Sequence, residues 1–497
     1  MAEVTILPQV RAFLERSNGQ FINGQRVTSE GGETIAVANP ATNEVIAHVA
    51  PATNAEIDAA VETAHHAFHG AWANTTPAQR GLLLNRLADL MIAHREELAQ
   101  LETLSSGKLI TLSRAFEVDY AVAFLRYYAS WTTKIEGRTV ALSLPSATGE
   151  KYTGLTLREP LGVVAGIVPW NFSIMIAVWK FGSALACGCT AVLKPSEVTP
   201  LTMLRVAELA IEAGIPPGVL NVVNGRGPQA GHALMTHPEI AKITFTGGME
   251  TGAAIGTAAM QSGFKRVTLE LGGKNAAAFL PDTSPDRTVD GIIEAGFLNS
   301  GQVCASAERC YVHRSRIDDV AERLGKRLAA FAPGDPMDDE SQFGPLASRA
   351  HFEKVTGSFA RARARGARFI HGGGAFDIPG CYIQPTAVLA RSQDDELMRQ
   401  EVFGPVVSLL VYDSVEELVT LMNDSPYGLT ASLWTNDLSQ ALRLIPRIEA
   451  GTVWINMHNY IDPAMPFGGA KGSGIGREFG SAFIEHFTEI KSVIMRY

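Results

Sequence analysis

The chain has 497 residues, of which 46% are hydrophobic and 19% charged; at roughly 150 residues per unit this excludes a single small domain and a disordered chain, and predicts about three structural units. Its formal net charge of −9 lacks the basic excess that phosphate-backbone binding requires, so no nucleic-acid partner is expected. Five cysteines, an odd number with no CxxC pair, speak against a disulfide framework and leave at least one thiol available for chemistry. The N-terminus carries Glu3 and Pro8 and lacks the basic start and apolar run of a secretory signal, so cytoplasmic residence is expected.

From about 54 to 134 the apolar spacing is helical. Asn54 is placed to cap one helix, Thr76 followed by Pro77 opens a second, and FEVDYAVAFLRYYASW forms another. The uncharged stretch Leu161 to Trp179 is interrupted by Pro169, Asn171 and Ser173 and reads as a strand, a turn and a buried helix, with no membrane span expected. Beyond 162, GVVAGIV, TAVLK, VLNVV, KITF and RVTLE alternate with helical stretches starting near Phe172, Pro200, Gln229 and Thr251. Buried β-branched runs alternating with helices predict an α/β fold with a parallel sheet, which binds ligands beyond the C-terminal ends of its strands. After about 273 a second alternation begins, with NAAAFL, RCYVHR, PVVSLLVY and ASLWT as strands and a helix from Ile317 to Ala330. A cleft between two α/β units is expected.

GxSxG, GxxxxGK[ST] and HExxH are absent, which removes the usual anchors of serine hydrolases, P-loop nucleotidases and zincins. His65, His66 and His69 fall on a polar helix and read as a solvated face, so no metal ligands are assigned. Gly225, Gly227 and Gly231 miss the dinucleotide fingerprint by one residue, and helix–strand packing accounts for them equally well. The segments that place reactive groups beside glycines or in apolar surroundings are PWNFS (169–173), LKPSE (193–197), LELGGK (269–274), FLNSGQVC (297–304), EVFGP (401–405) and GIGREFG (474–480).

In this order and spacing these motifs resemble the NAD(P)-dependent aldehyde dehydrogenase superfamily, and the likeness runs from NPAT at 39–42 to the terminal KSVIMRY. Within that family the sequence resembles the bacterial phenylacetaldehyde dehydrogenases. The resemblance implies two Rossmann-like units and a small β arm: residues 1–137 and 161–272 binding NAD, 273–472 catalytic, and 138–160 with 473–497 forming an arm that builds a homodimer or homotetramer. An apolar strand at a chain end is consistent with such pairing.

It further implies that Cys304 is the nucleophile, that the Asn171 amide stabilises the oxyanion, and that Glu270 activates the hydrolytic water. Each also has a structural alternative: Cys304 as packing, Asn171 as a helix N-cap and Glu270 in an ion pair. Glu478 matches a second glutamate that relays protons, with a salt bridge as the equal alternative. Glu270 distinguishes hydrolysis from transfer to coenzyme A, so a free acid is the expected product. Lys194 and Glu197 would hold the adenosine ribose, and Glu197 would repel a 2′-phosphate, favouring NAD over NADP. Gly247, Gly248 and Gly252 would lie at the pyrophosphate, Glu401 and Phe403 at the nicotinamide ribose, and Trp170 along the same cleft. Ser173, where the family commonly has proline, and Gly248, where it has serine, depart from the pattern. Phe172, Ile176, Trp179, Leu298, Val303 and Phe467 would line an apolar tunnel without a fixed cation, which favours a hydrophobic aldehyde such as phenylacetaldehyde, oxidised to phenylacetate. A semialdehyde or betaine-type aldehyde dehydrogenase, and a non-catalytic binding protein on the same fold, are the alternatives.

Overall fold

A computed structural model describes residues 5–28 and 32–497; Glu3 lies outside them. Two large sheets dominate. The first has eight strands in the order Gln25–Val27, Gln20–Ile22, Leu220–Val222, Thr190–Lys194, Val163–Ile167, Ile240–Gly247, Arg266–Leu271 and Gly474–Ile475. Its five central strands are parallel, and the outer pairings are antiparallel. From Val163–Ile167 the chain builds outward to one side through Thr190–Lys194 and Leu220–Val222, then returns to the other side through Ile240–Gly247. That reversal opens a crevice at the C-terminal end of Val163–Ile167, where side chains from both halves can meet.

The second sheet has seven strands, ordered Arg368–His371, Thr386–Leu389, Val406–Tyr412, Arg309–His313, Ala276–Phe279, Thr430–Trp434 and Thr452–Ile455. All its pairings are parallel except that of the edge strand Arg368–His371. A separate three-stranded antiparallel sheet joins Thr139–Val140, Tyr152–Pro160 and the terminal strand Thr488–Arg496. Residues 474–475 belong to the eight-stranded sheet, so the C-terminal segment touches that sheet before it reaches the arm strand.

The helices follow their local signals. Thr76 caps Pro77–Ala93 with a capping box and a proline in the first turn. At the preceding helix the cap is Thr53, whose hydroxyl accepts the Glu56 N–H; Asn54 is the first helical residue instead of the cap. The FEVDYAVAFLRYYASW run begins as a π-helix, Ser113–Asp119, before continuing as Tyr120–Trp131. All fourteen residues of Ser173–Ala186 are buried, which explains its predominantly apolar sequence, and its one charged residue, Lys180, is ion-paired with Glu478. It packs in the largest core together with Phe124, Leu125 and Tyr128. Among the described residues no helix is long and apolar enough to cross a membrane.

Candidate active site

Pro169, Trp170 and Asn171 follow the strand Val163–Ile167 and lie at the crevice. They line a cleft of about 230 Å³ with Gly247, Gly248, Glu270, Leu271, Gly272, Cys304, His351, Lys354, Glu401 and Phe403. Asn171, Glu270 and Cys304, which come from three well-separated segments of the chain, thereby share one space. Asn171 does not cap the following helix: that position is Phe172, and no side chain of its own caps the turn. Instead Asn171 Nδ2 donates to the Gln302 carbonyl at 3.0 Å, anchoring the amide beside the cysteine turn. An amide nitrogen carries two protons, so one anchors the group and the second is free for another acceptor.

The turn that presents Cys304 is heavily determined. Asn299 and Ser300 adopt left-handed backbone at φ 48° and 54°. Gln302 Nε2 donates to the Asn299 carbonyl, and Gln302 Oε1 accepts the Ala347 N–H. Asn275 Nδ2 donates to the carbonyls of Cys304 (2.7 Å) and Ser306 (3.0 Å). Cys304 keeps partial exposure, whereas Cys187, Cys189, Cys310 and Cys381 are buried. Burial, reinforced by the Glu270 and Glu401 carboxylates, pushes its thiol up to about 12, while the Ala305 and Cys304 N–H groups act in the opposite sense. The resting group is therefore a neutral thiol that must surrender a proton before it attacks.

Glu270, on the strand Arg266–Leu271, is 3% exposed. Neither of its oxygens has a hydrogen-bond partner among the described residues. Burial, together with the Glu478 charge, raises its pKa well above the carboxylate range. A buried carboxylate without partners is costly unless something binds it, and here it faces the cleft. The ion-pair alternative expected for Glu270 belongs to Glu478, whose Oε1 accepts from Lys180 Nζ at 2.5 Å. Glu478 is held in place by reciprocal backbone hydrogen bonds with Phe467.

On the opposite wall, Glu401 Oε1 accepts the Gly273 N–H at 2.9 Å, and burial and the Glu308 charge push its carboxyl up to about 7. A Cβ on Gly272 would stand 2.3 Å from Glu401 Oε2, so the LELGGK glycine makes room for that carboxylate. Phe403 sits at φ 61°; Glu308 accepts its N–H, and His351 Nε2–H donates to its carbonyl at 2.7 Å. Trp170 packs tilted against the His351 ring at 5.1 Å and edge-to-face against Phe403 at 5.4 Å. Gly248 is the N-cap of Met249–Gln261, which has no side-chain cap, and a Cβ there would meet nothing within 4 Å. Gly248 and the first turn of that helix, whose N–H groups have no side-chain cap, therefore lie open at the cleft edge.

Other expected residues lie elsewhere. Lys194 Nζ donates to the Pro195 carbonyl and lies 3.7 Å from Glu197, at the end of Thr190–Lys194 and outside this cleft's lining. Gly252 abuts Leu271, where a Cβ would come within 2.5 Å of Cδ2, so packing accounts for it. Phe172, Ile176, Trp179 and Phe467 are core residues, with Val303 packed against them, and none lines the cleft. Trp179 and Phe467 join Phe124 and Phe479 in an aromatic cluster. Leu298 lines a separate cavity of about 410 Å³ with Phe116, Tyr120, Phe297, Met457 and Tyr460. The segment 298–304 therefore runs from that apolar cavity to the cleft. Sequence reasoning did not single out Lys180, Asn275, Glu308, His351 or Lys354, because none sits in a motif whose spacing announces a partner.

Comparison with known proteins matches residues 27–493 to the family described as "Aldehyde dehydrogenase family". The phenylacetaldehyde dehydrogenase of Pseudomonas fluorescens is 46% identical over 480 residues, covering 96% of this chain and 95% of that protein. Cytosolic aldehyde dehydrogenase 1 of Rattus norvegicus is 39% identical, with 96% and 94% coverage. Among solved structures, the NAD+ complex of the Bacillus cereus aldehyde dehydrogenase superposes with a TM-score of 0.96 at 42% identity, covering 99% of both chains.

Proposed function

Because the chain belongs to the aldehyde dehydrogenase family, we propose that it oxidises hydrophobic, arylacetic aldehydes such as phenylacetaldehyde to their free acids with NAD, through a thioester on Cys304. The reading is carried by one observation: a partly exposed thiol, an unpartnered buried carboxylate and an anchored amide converge on a single cleft.

Cys304 gives up its proton to solvent water at the open side of the cleft and its sulfur adds to the aldehyde carbon, the C=O π pair moving onto oxygen to give the thiohemiacetal oxyanion. The oxyanion sits between the free proton of Asn171 Nδ2 and the Cys304 N–H. A donor aimed at this charge is worth about 3 kcal/mol in related acyl transfers. NAD, when bound, is the hydride acceptor of the reaction. Collapse of the oxyanion re-forms the carbonyl as a thioester. Glu270, whose proton affinity is raised by burial and the Glu478 charge, takes a proton from water, the hydroxyl adds to the acyl carbon, and the C–S bond breaks to return the thiol and release the acid.

Trp170, Gly247, Gly248, Glu401 and Phe403 would hold the cofactor in the cleft, with Lys194 and Glu197 at the adenosine end. The uncapped helix start supports a pyrophosphate there, and the NAD+ complex of the Bacillus cereus relative supports the same cofactor. The Glu197 carboxylate favours NAD over NADP. The cavity around Leu298 supports an apolar substrate, since its described lining holds no lysine or arginine to pair a substrate carboxylate. Identity to the Pseudomonas fluorescens enzyme points to the same class.

We read residues 1–137 with 161–272 as the cofactor unit and 273–472 as the catalytic unit of a cytoplasmic enzyme. The terminal strand exposes Ile490, Ile494 and Met495 at a sheet edge, which supports assembly into a homodimer or homotetramer. Cys304→Ala is expected to abolish NADH formation from aldehyde, and Glu270→Gln to accumulate an acyl adduct visible in the intact mass. Sustained turnover by the first variant, or an unmodified mass in the second, refutes the mechanism.

A further inference from the structure

Charged side chains with almost no exposure lie beneath the segment that carries Asn171. Lys108 is ion-paired with both Glu102 (3.3 Å) and Glu117, and all three side chains are at most 1% exposed. Buried pairs of this kind contribute little net stability, because desolvation offsets their attraction; what they hold is more informative. Glu117, supplied by the π-helix, accepts the N–H groups of Ile174 (3.1 Å) and Met175 (3.0 Å), filling the cap that Phe172 cannot supply. Ser173 Oγ donates to Glu102 Oε1 at 3.1 Å and lies 2.7 Å from Thr199 Oγ1. Lys108 Nζ stands 4.5 Å from the centre of the Phe172 ring. Residues 172–175 are thus tied to three separate parts of the chain, immediately after Asn171.

We infer that Ser173 is a positioning residue: its hydroxyl, tied to Glu102 and Thr199, fixes the start of the Ser173–Ala186 helix and thereby aims the Asn171 amide at the reacting oxygen. The inference rests on the oxyanion role proposed for Asn171. The amide is clamped from two sides, by the Gln302 carbonyl of the cysteine turn and by this buried network along its own chain. Removing the hydroxyl leaves Asn171 intact but frees its backbone to shift, and small misplacements of a catalytic group cost up to about a hundredfold in rate.

The test is a double-mutant cycle on the full-length enzyme between Ser173→Ala and Asn171→Ala, reading kcat, KM for NAD and Tm. Ser173→Ala is expected to lower kcat roughly tenfold to a hundredfold, to leave KM for NAD unchanged, and to cause no further loss in the Asn171→Ala background. Thr199→Val, near-isosteric, removes one anchor of Ser173 and is expected to lower kcat in the same direction even if Ser173→Ala folds poorly. Unchanged kcat in both Ser173→Ala and Thr199→Val, or losses that multiply across the cycle, overturns the inference while leaving the role of Asn171 standing. Full activity in Asn171→Ala removes that role and the inference with it.

Discussion

Glu270 shows how one residue can serve chemistry at the expense of stability. Its folded pKa lies well above its ordinary value because of burial and the Glu478 charge. Between the unfolded and folded pKa values the native state binds more protons at this group, so its contribution to stability is fully present below about pH 4.3 and is lost as pH rises. Replacing the carboxyl by an amide removes this dependence. Glu270→Gln is therefore expected to melt at a higher temperature than the wild type at neutral pH, with the difference shrinking towards pH 4–5. Thermal melts of both proteins across that range check it; a pH-independent difference refutes the assignment. Burial likewise pushes the Cys304 thiol up to about 12, so it is inert until its proton is removed.

At the level of elements, the active site is made where short irregular segments are forced together. The turn 298–304 and the segment 401–405 touch at Gly301, which has φ 74° and where a Cβ would stand 2.0 Å from the Gly404 carbonyl oxygen. Neither the backbone conformation nor the space admits a side chain. Gly301→Ala is expected to destabilise the protein by about 1–3 kcal/mol and, by displacing the segment bearing Glu401 and Phe403, to raise KM for NAD. Denaturant unfolding and steady-state kinetics measure the two effects, and a variant with wild-type values for both contradicts the account. The helix caps behave as their residues dictate: threonine supplies the cap at both 53 and 76. Ser173–Ala186 instead borrows its cap from Glu117, a contact 57 residues away that no local pattern discloses.

Across the whole molecule, two largely parallel sheets with their connecting helices frame the site, and the 298–304 turn contributes Cys304 to the cleft that holds Asn171 and Glu270, and Leu298 to the apolar cavity. The division bears on substrate choice. With no lysine or arginine in the described cavity lining, kcat/KM for phenylacetaldehyde is expected to exceed that for succinic semialdehyde by at least about tenfold, the order expected when a carboxylate is buried without a partner. A side-by-side measurement with benzaldehyde and hexanal as further apolar substrates tests this, and preference for the semialdehyde rejects the apolar route.

The central strands of both sheets, the buried helix after Asn171 and the exposed apolar terminal strand were legible in the chain, because β-branched and apolar runs act over a few residues; the short outer strands Gln20–Ile22, Gln25–Val27, Arg368–His371, Thr386–Leu389, Thr452–Ile455 and Gly474–Ile475 carry too little pattern to announce themselves. The motifs around Asn171, Glu270, Cys304 and Glu401 were legible too, since they place polar groups at strand ends and beside glycines. Long-range packing settled the rest: which glutamate is ion-paired and which is left without a partner, that Gly252 serves packing, that Trp179 and Phe467 belong to the core, and that His351 and Lys354 border the cleft. Those outcomes depend on which segments meet across hundreds of residues, and burial and hydrogen-bond pairing acquire values only after they have met.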